Sequence, residues 1–129
     1  MGDILIENNL TEVGIYNPQF NNILNISLPC NSIFQSDGLY LHIQKRHPNC
    51  INYLNNIPDI ISSPNYIGTN PNEPNSIELV KRYDDNIMIG IKLDITNNYL
   101  YVASLFDIKE GKIQRRLHSG RLKEFNNNP

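Results

Sequence analysis

The sequence predicts an α+β fold: N-terminal helices packed on a four-stranded antiparallel sheet. Three observations lead there. The chain has 129 residues, enough to bury a core without metals or crosslinks. A helical block runs from Asp37 to Ser63, and four β-like runs follow between Ile77 and Leu117, separated by turn residues. Helices gathered ahead of strands are the α+β pattern, whereas alternating elements would indicate a parallel sheet. A single domain over 1–125 is expected, with a disordered tail at 126–129.

ILIE (4–7), VGIY (13–16) and SIF (32–34) read as short strands, while NNILNISL is too short for its period to decide between helix and strand. Ser36 or Asp37 offers an N-cap for a helix over 37–46, with Leu39, Ile43 and Arg46 on one stripe. Pro48 drives His47 out of the α region, so this helix should end near His47. INYLNNI (51–57) is a second helical segment. PDIISS is a third, with Pro58 suited to a first helical turn. GTNPNEPNS (68–76) is loop. IELVKRY (77–83) alternates, with Ile77, Leu79 and Lys81 on one face and Glu78, Val80 and Arg82 on the other. IMIGIKLDI (87–95) and YLYVASLFDI (99–108) are apolar on both faces, as central strands are. KIQRRL (112–117) is the fourth strand. Asp84-Asp85-Asn86, Asn97-Asn98 and Glu110-Gly111 are the hairpin turns between them, and EFNNNP should fray.

Formal net charge is −2, which argues against indiscriminate nucleic-acid binding. The charge is segregated, however. Residues 1–40 hold Asp3, Glu7, Glu12 and Asp37 and no Lys or Arg; residues 109–123 hold Lys109, Lys112, Arg115, Arg116, Arg121 and Lys123 against Glu110 alone. Such asymmetry suits a local anionic partner, and equally a solvated basic strand pair. Cys30 and Cys50 make no disulfide framework and no zinc spacing, so a reducing compartment is expected. No signal-peptide pattern opens the chain, and no apolar run approaches the roughly 18 residues of a membrane helix.

Two clusters carry chemistry. His42, Lys45, Arg46 and His47 fall within six residues. One imidazole can take a proton while another gives one, and adjacent cations suit an anionic substrate. Phosphodiester transesterification needs that set, and it needs no metal. The bland alternative is a helix C-terminus whose cations complement its dipole. A zinc pair is disfavoured, because i and i+5 lie about 140° apart on a helix and no third ligand is evident. The second cluster is RRLHSGRLK (115–123), where Arg115, Arg116, Ser119 and Arg121 could hold phosphate around an SGR turn, or could form a polar loop. Ser104, inside the apolar run YVASLF, is either a buried, backbone-bonded hydroxyl or a phosphate-facing donor on the sheet. The tyrosines could stack bases, though packing accounts for them as readily.

HIQKRHP, IPDIISSPNYIG, SIELVKRY, IKLD, YLYVASLF and IQRRLHSGRLK occur in that order from about Ser32 to Lys123. Together they resemble the PBECR family, phage-encoded nuclease domains of the barnase–EndoU–colicin–RelE-like kind. The resemblance implies a BECR-like fold of helices on a four-stranded antiparallel sheet. It implies a metal-independent endoribonuclease without cofactor, of the phage or mobile-element toxin type, acting on single-stranded RNA or tRNA loops in a bacterial host cytosol. The family's His-x-x-Lys-Arg-His pattern falls on His42, Lys45, Arg46 and His47, its strand hydroxyl on Ser104, and its closing basic block on Arg115, Arg116, Ser119 and Arg121. The roles expected are catalytic for His42, His47, Lys45 and Ser104 and substrate-binding for Arg46, Arg115, Arg116, Ser119 and Arg121. An immunity protein or a host protein is the other partner such a domain would have. The competing expectation is a non-catalytic binder that blocks an RNA or a host protein, an anti-defence role; RNA fragments formed in EDTA would discriminate the two.

Overall fold

The computed structural model describes residues 9–125. In chain order these form β1 (Leu10–Ile15), α1 (Pro18–Leu24), β2 (Ser32–Ser36), α2 (Asp37–Arg46), a 3-10 helix (Pro48–Asn56) and α3 (Ile57–Ser62). Then come β3 (Tyr66–Gly68), β4 (Ser76–Arg82), β5 (Asn86–Asp94), β6 (Tyr99–Asp107), α4 (Glu110–Ser119) and β7 (Leu122–Glu124). The expected strand at 4–7 and the expected tail at 126–129 lie outside the described residues.

The α+β class holds, but the four-stranded, wholly antiparallel sheet does not. One seven-stranded sheet runs β1-β2-β6-β5-β4-β3-β7. Every neighbouring pair is antiparallel except β2 and β6, which run parallel, with Ile33 beside Leu100 and Phe34 beside Tyr101. The early strand candidates thus join the same sheet as the meander. β3 and β7 have three residues each, too few for a period of two to be visible.

The segment expected as the fourth strand is helix α4. Ile113 and Leu117, four residues apart, pack with Val80, Met88, Ile108 and Leu122. Glu110 in the first turn and Arg116 and His118 in the last complement the helix dipole. Gly120 ends the helix at φ 88°, the left-handed position glycine occupies without cost. Glu110-Gly111 is therefore a helix start and not a hairpin turn. Pro18, similarly, opens α1 behind Asn17, whose side chain accepts the Gln19 N–H.

The two sheet faces differ, and this difference positions the site. The inner face carries Ile77, Leu79, Ile87, Ile89, Ile91, Leu100, Val102 and Leu105, all packed against the helices that precede the sheet's central strands. Leu39 and Ile43 bring α2 into this core, while Tyr16, Phe20 and Phe125 stack edge to face. Each fully buried isoleucine here contributes about 1.5–3 kcal/mol through removal from water. Phe125 also donates its N–H to Asn65, so the chain is held in place further than the expected fraying would allow. Among the described residues, α4 covers one end of the outer face, over Val80 and Met88.

Candidate active site

The uncovered part of the outer face is built by register. In the β4–β5–β6 ladder, Glu78 pairs with Gly90, and Gly90 pairs with Ser104. A β-bulge follows: Ile91 pairs with Val102, so β6 gains one residue between Val102 and Ser104. The bulge shifts the phase of β6. Leu100, Val102 and Leu105 all reach the core, while Ser104 lies with Phe106 on the outer face. The 100–102–105 spacing of buried apolar residues was the sequence signal for it. Gly90 leaves the floor open, since a Cβ there would stand 2.8 Å from Ser104 Oγ.

The resulting cleft, about 240 Å³, is lined by Glu73, Ser76, Glu78, Lys92, Ser104 and Phe106 among others. Ser104 is half-buried, and its hydroxyl has no hydrogen-bond partner among the described residues. Glu78 is the buried carboxylate, 8% exposed. Arg121 Nη2 donates to both Glu78 oxygens at 3.2 and 3.1 Å, and Arg116 Nη1 stands 3.6 Å from Oε1. Arg116 lies over Met88, and burial and the neighbouring Arg121 push its guanidinium below its usual basicity. Arg121 Nε is buried without a partner among the described residues. Lys92 pairs with Glu73 at 2.6 Å, which keeps its ammonium above the ordinary lysine range. The lining itself carries Glu73, Glu78 and Lys92, and only with the two guanidiniums held by Glu78 does this cluster reach one net positive charge.

The histidines stand at the rim. α2 ends at Arg46, and His47 leaves the helix at φ −139°, ψ 59°, as Pro48 requires. That departure turns the His47 ring toward His42, their centroids 6.5 Å apart, despite an i, i+5 spacing that would diverge on a continuous helix. On its other side, His47 lies 5.5 Å from Phe106 at 32°, a tilted stack. His42 lines an adjoining hollow with Ser36, Lys92, Tyr101 and Ala103. Lys92 belongs to both hollows, and Phe106 to the Ser104 cleft and to a third hollow containing Arg115.

Of the residues singled out from sequence, His42, Ser104 and Arg115 line the three hollows that share Lys92 and Phe106; His47 reaches them through its stack on Phe106, and Arg116 and Arg121 through Glu78. Lys45 and Arg46 are exposed on α2 and line none of the three. Ser119 is occupied by its own turn, donating to the Arg116 carbonyl and accepting the Arg121 N–H. The sequence reading missed Glu78, Lys92 and Phe106. Glu78 was detectable as a carboxylate between apolar neighbours in an alternating strand. Cys50 is buried; its thiol donates to Asp107, and burial foremost raises it above the ordinary thiol range, which disfavours the thiolate. Among the described residues no group of three or more His, Cys, Asp or Glu side chains could hold a metal ion, and no helix is long and apolar enough to cross a membrane.

No curated protein and no solved structure matches the chain. A family model does match, over residues 12–115, a range that takes in α2, the ladder with Glu78, Gly90 and Ser104, and Arg115, and stops short of Arg116 and Arg121. On that match the chain belongs to the phage-Barnase-EndoU-ColicinE5/D-RelE like nuclease3 family, and its function in general terms is that of a nuclease.

Proposed function

We propose that the protein is an endoribonuclease of the phage or mobile-element toxin type, cleaving RNA without a metal through attack of a ribose 2′-hydroxyl on the adjacent phosphorus. The supporting observation is Phe106. One aromatic ring touches His47 at the exit of α2 and lines the cleft of Ser104, Glu78 and Lys92. Phe106 thus links the histidine pair to the cleft lined by Lys92 and by Glu78 with its two guanidiniums, which supports acid–base groups and cations acting on one substrate.

In this reading one imidazole of the His42–His47 pair takes the proton of the 2′-hydroxyl as the O2′–P bond forms. The other, as imidazolium, gives its proton to the 5′-oxygen as the P–O5′ bond breaks. The products are a 2′,3′-cyclic phosphate and a free 5′-hydroxyl, so protons and bonds balance without a cofactor. Ser104 donates to a non-bridging oxygen, and Arg116, Arg121 and Lys92 offset the charge that grows on phosphorus. Glu78 positions the two guanidiniums. Its carboxylate ties them to the cleft wall, where the planar forks can meet phosphate. Lys45 and Arg46, exposed on α2, attract the backbone from outside. With a net charge of −2, recognition depends on this patch and on RNA shape. The setting is the host cytosol, and an immunity or host protein would be the second partner.

The test is incubation of the purified protein with total RNA in EDTA, followed by mapping of the new ends. Fragments ending in 2′,3′-cyclic phosphate are expected. Intact RNA held in tight, salt-sensitive complexes would instead identify a non-catalytic binder.

A further inference from the structure

Beyond Phe106 lies a hollow that the proposed chemistry does not use. Its volume is about 480 Å³, within the range of about 300–1,000 Å³ typical of small-ligand sites. Phe106 and Ile108 give it an apolar wall, and Lys109, Lys112 and Arg115 give it a basic one. None of these three cations forms an ion pair among the described residues. The nearest acid on their helix, Glu110, is taken up by Arg82, Asn86 and Gln114. Asp107, the one carboxylate in the lining, accepts from Cys50. An apolar, partly aromatic lining together with cations outside any ion pair fits a heterocycle carrying a phosphate.

We propose that this hollow is a nucleotide subsite flanking the scissile phosphate, binding an unpaired base against Phe106 and a second backbone phosphate on Lys109, Lys112 and Arg115. The proposal rests on the ribonuclease reading and sharpens it. A base lying against a protein ring is not stacked in a duplex, so the substrate is single-stranded at that nucleotide. A dinucleoside monophosphate carries only the scissile phosphate and leaves the cations of this hollow empty. A tetranucleotide fills them.

The experiment compares a dinucleoside monophosphate with a tetranucleotide of the same central step, in the wild type and in a Lys109→Ala/Lys112→Ala variant. Wild type is expected to favour the tetranucleotide in kcat/KM by about 10-fold or more, and the variant to lose most of that preference while cleaving the dinucleotide normally. A preference that survives the double substitution, or that wild type lacks, overturns the subsite. In parallel, binding of a non-cleavable 2′-deoxy tetranucleotide is measured by fluorescence polarisation. Binding weakened in the variant, with a shallower salt dependence, supports the subsite even if wild type cleaves neither RNA, a result that would reject the ribonuclease reading alone. Equal binding by both proteins rejects the subsite.

Discussion

Glu78 and Ser104 stand on one cross-strand row, each paired with Gly90 of the strand between them. The row needs a residue without a side chain at its centre, because a Cβ on Gly90 would meet Ser104 Oγ at 2.8 Å. A Gly90→Val protein has a residue suited to strands and keeps its inner face, so its circular dichroism should be unchanged. Its rate on RNA is expected to fall about 10²-fold, the scale of a displaced substrate. Full activity would show that the substrate does not enter this cleft.

Removing the charge of Glu78 leaves two guanidiniums facing each other at a half-buried wall. Glu78→Gln is expected to lower the unfolding free energy by about 3 kcal/mol, in the range found when one partner of a buried pair is lost. Urea titration measures it. A change below about 0.5 kcal/mol would mean that water already screens the cluster.

At the other end of α4, the Arg82 guanidinium holds the Glu110 carboxyl at about 2, below its ordinary 4.5, with Gln114 assisting. A carboxylate depressed by folding contributes stability above its unfolded value. The contribution is lost as pH falls from 4.5 toward about 2. Asp59 adds in the same direction, lowered mainly by the Tyr83 hydroxyl that donates to it. The melting temperature should therefore drop through this window, and less steeply in Glu110→Gln. Parallel curves for the two proteins would remove Glu110 from the account.

Gly120 closes α4 at φ 88° with nothing within 4 Å of its missing Cβ. Gly120→Ala thus isolates the backbone term, expected at about 1 kcal/mol of destabilisation by urea titration. No loss would mean that the turn relaxes out of the left-handed region.

Strand periodicity and proline chemistry were legible from sequence, and non-local pairing was not. β4, β5 and β6 could be read from alternation and turn residues, and the end of α2 from Pro48 acting on His47. α4 was missed because KIQRRL, six residues with three cations and two apolar side chains, is too short to separate the two periods. Its decisive cues, Ile113 and Leu117 one turn apart and Gly120 after them, lay beside a basic motif that drew a different reading. The parallel joining of β2 to β6 pairs residues 67 positions apart, which no local pattern encodes. In the site, residue types were legible and their grouping was not. His42 and His47 come within 6.5 Å only because the helix ends at Arg46 and His47 leaves it, and Ser104 faces outward only because β6 bulges.

The central claim is that the two imidazoles at the exit of α2 perform the proton transfers of RNA cleavage. The most direct measurement is the single-turnover rate on RNA in EDTA for wild type, His42→Ala, His47→Ala and the double variant, with folding of each checked by circular dichroism. Each single substitution is expected to cost about 10²–10⁴ in rate and to leave RNA affinity nearly unchanged. A folded double variant that cleaves at the wild-type rate would contradict the claim.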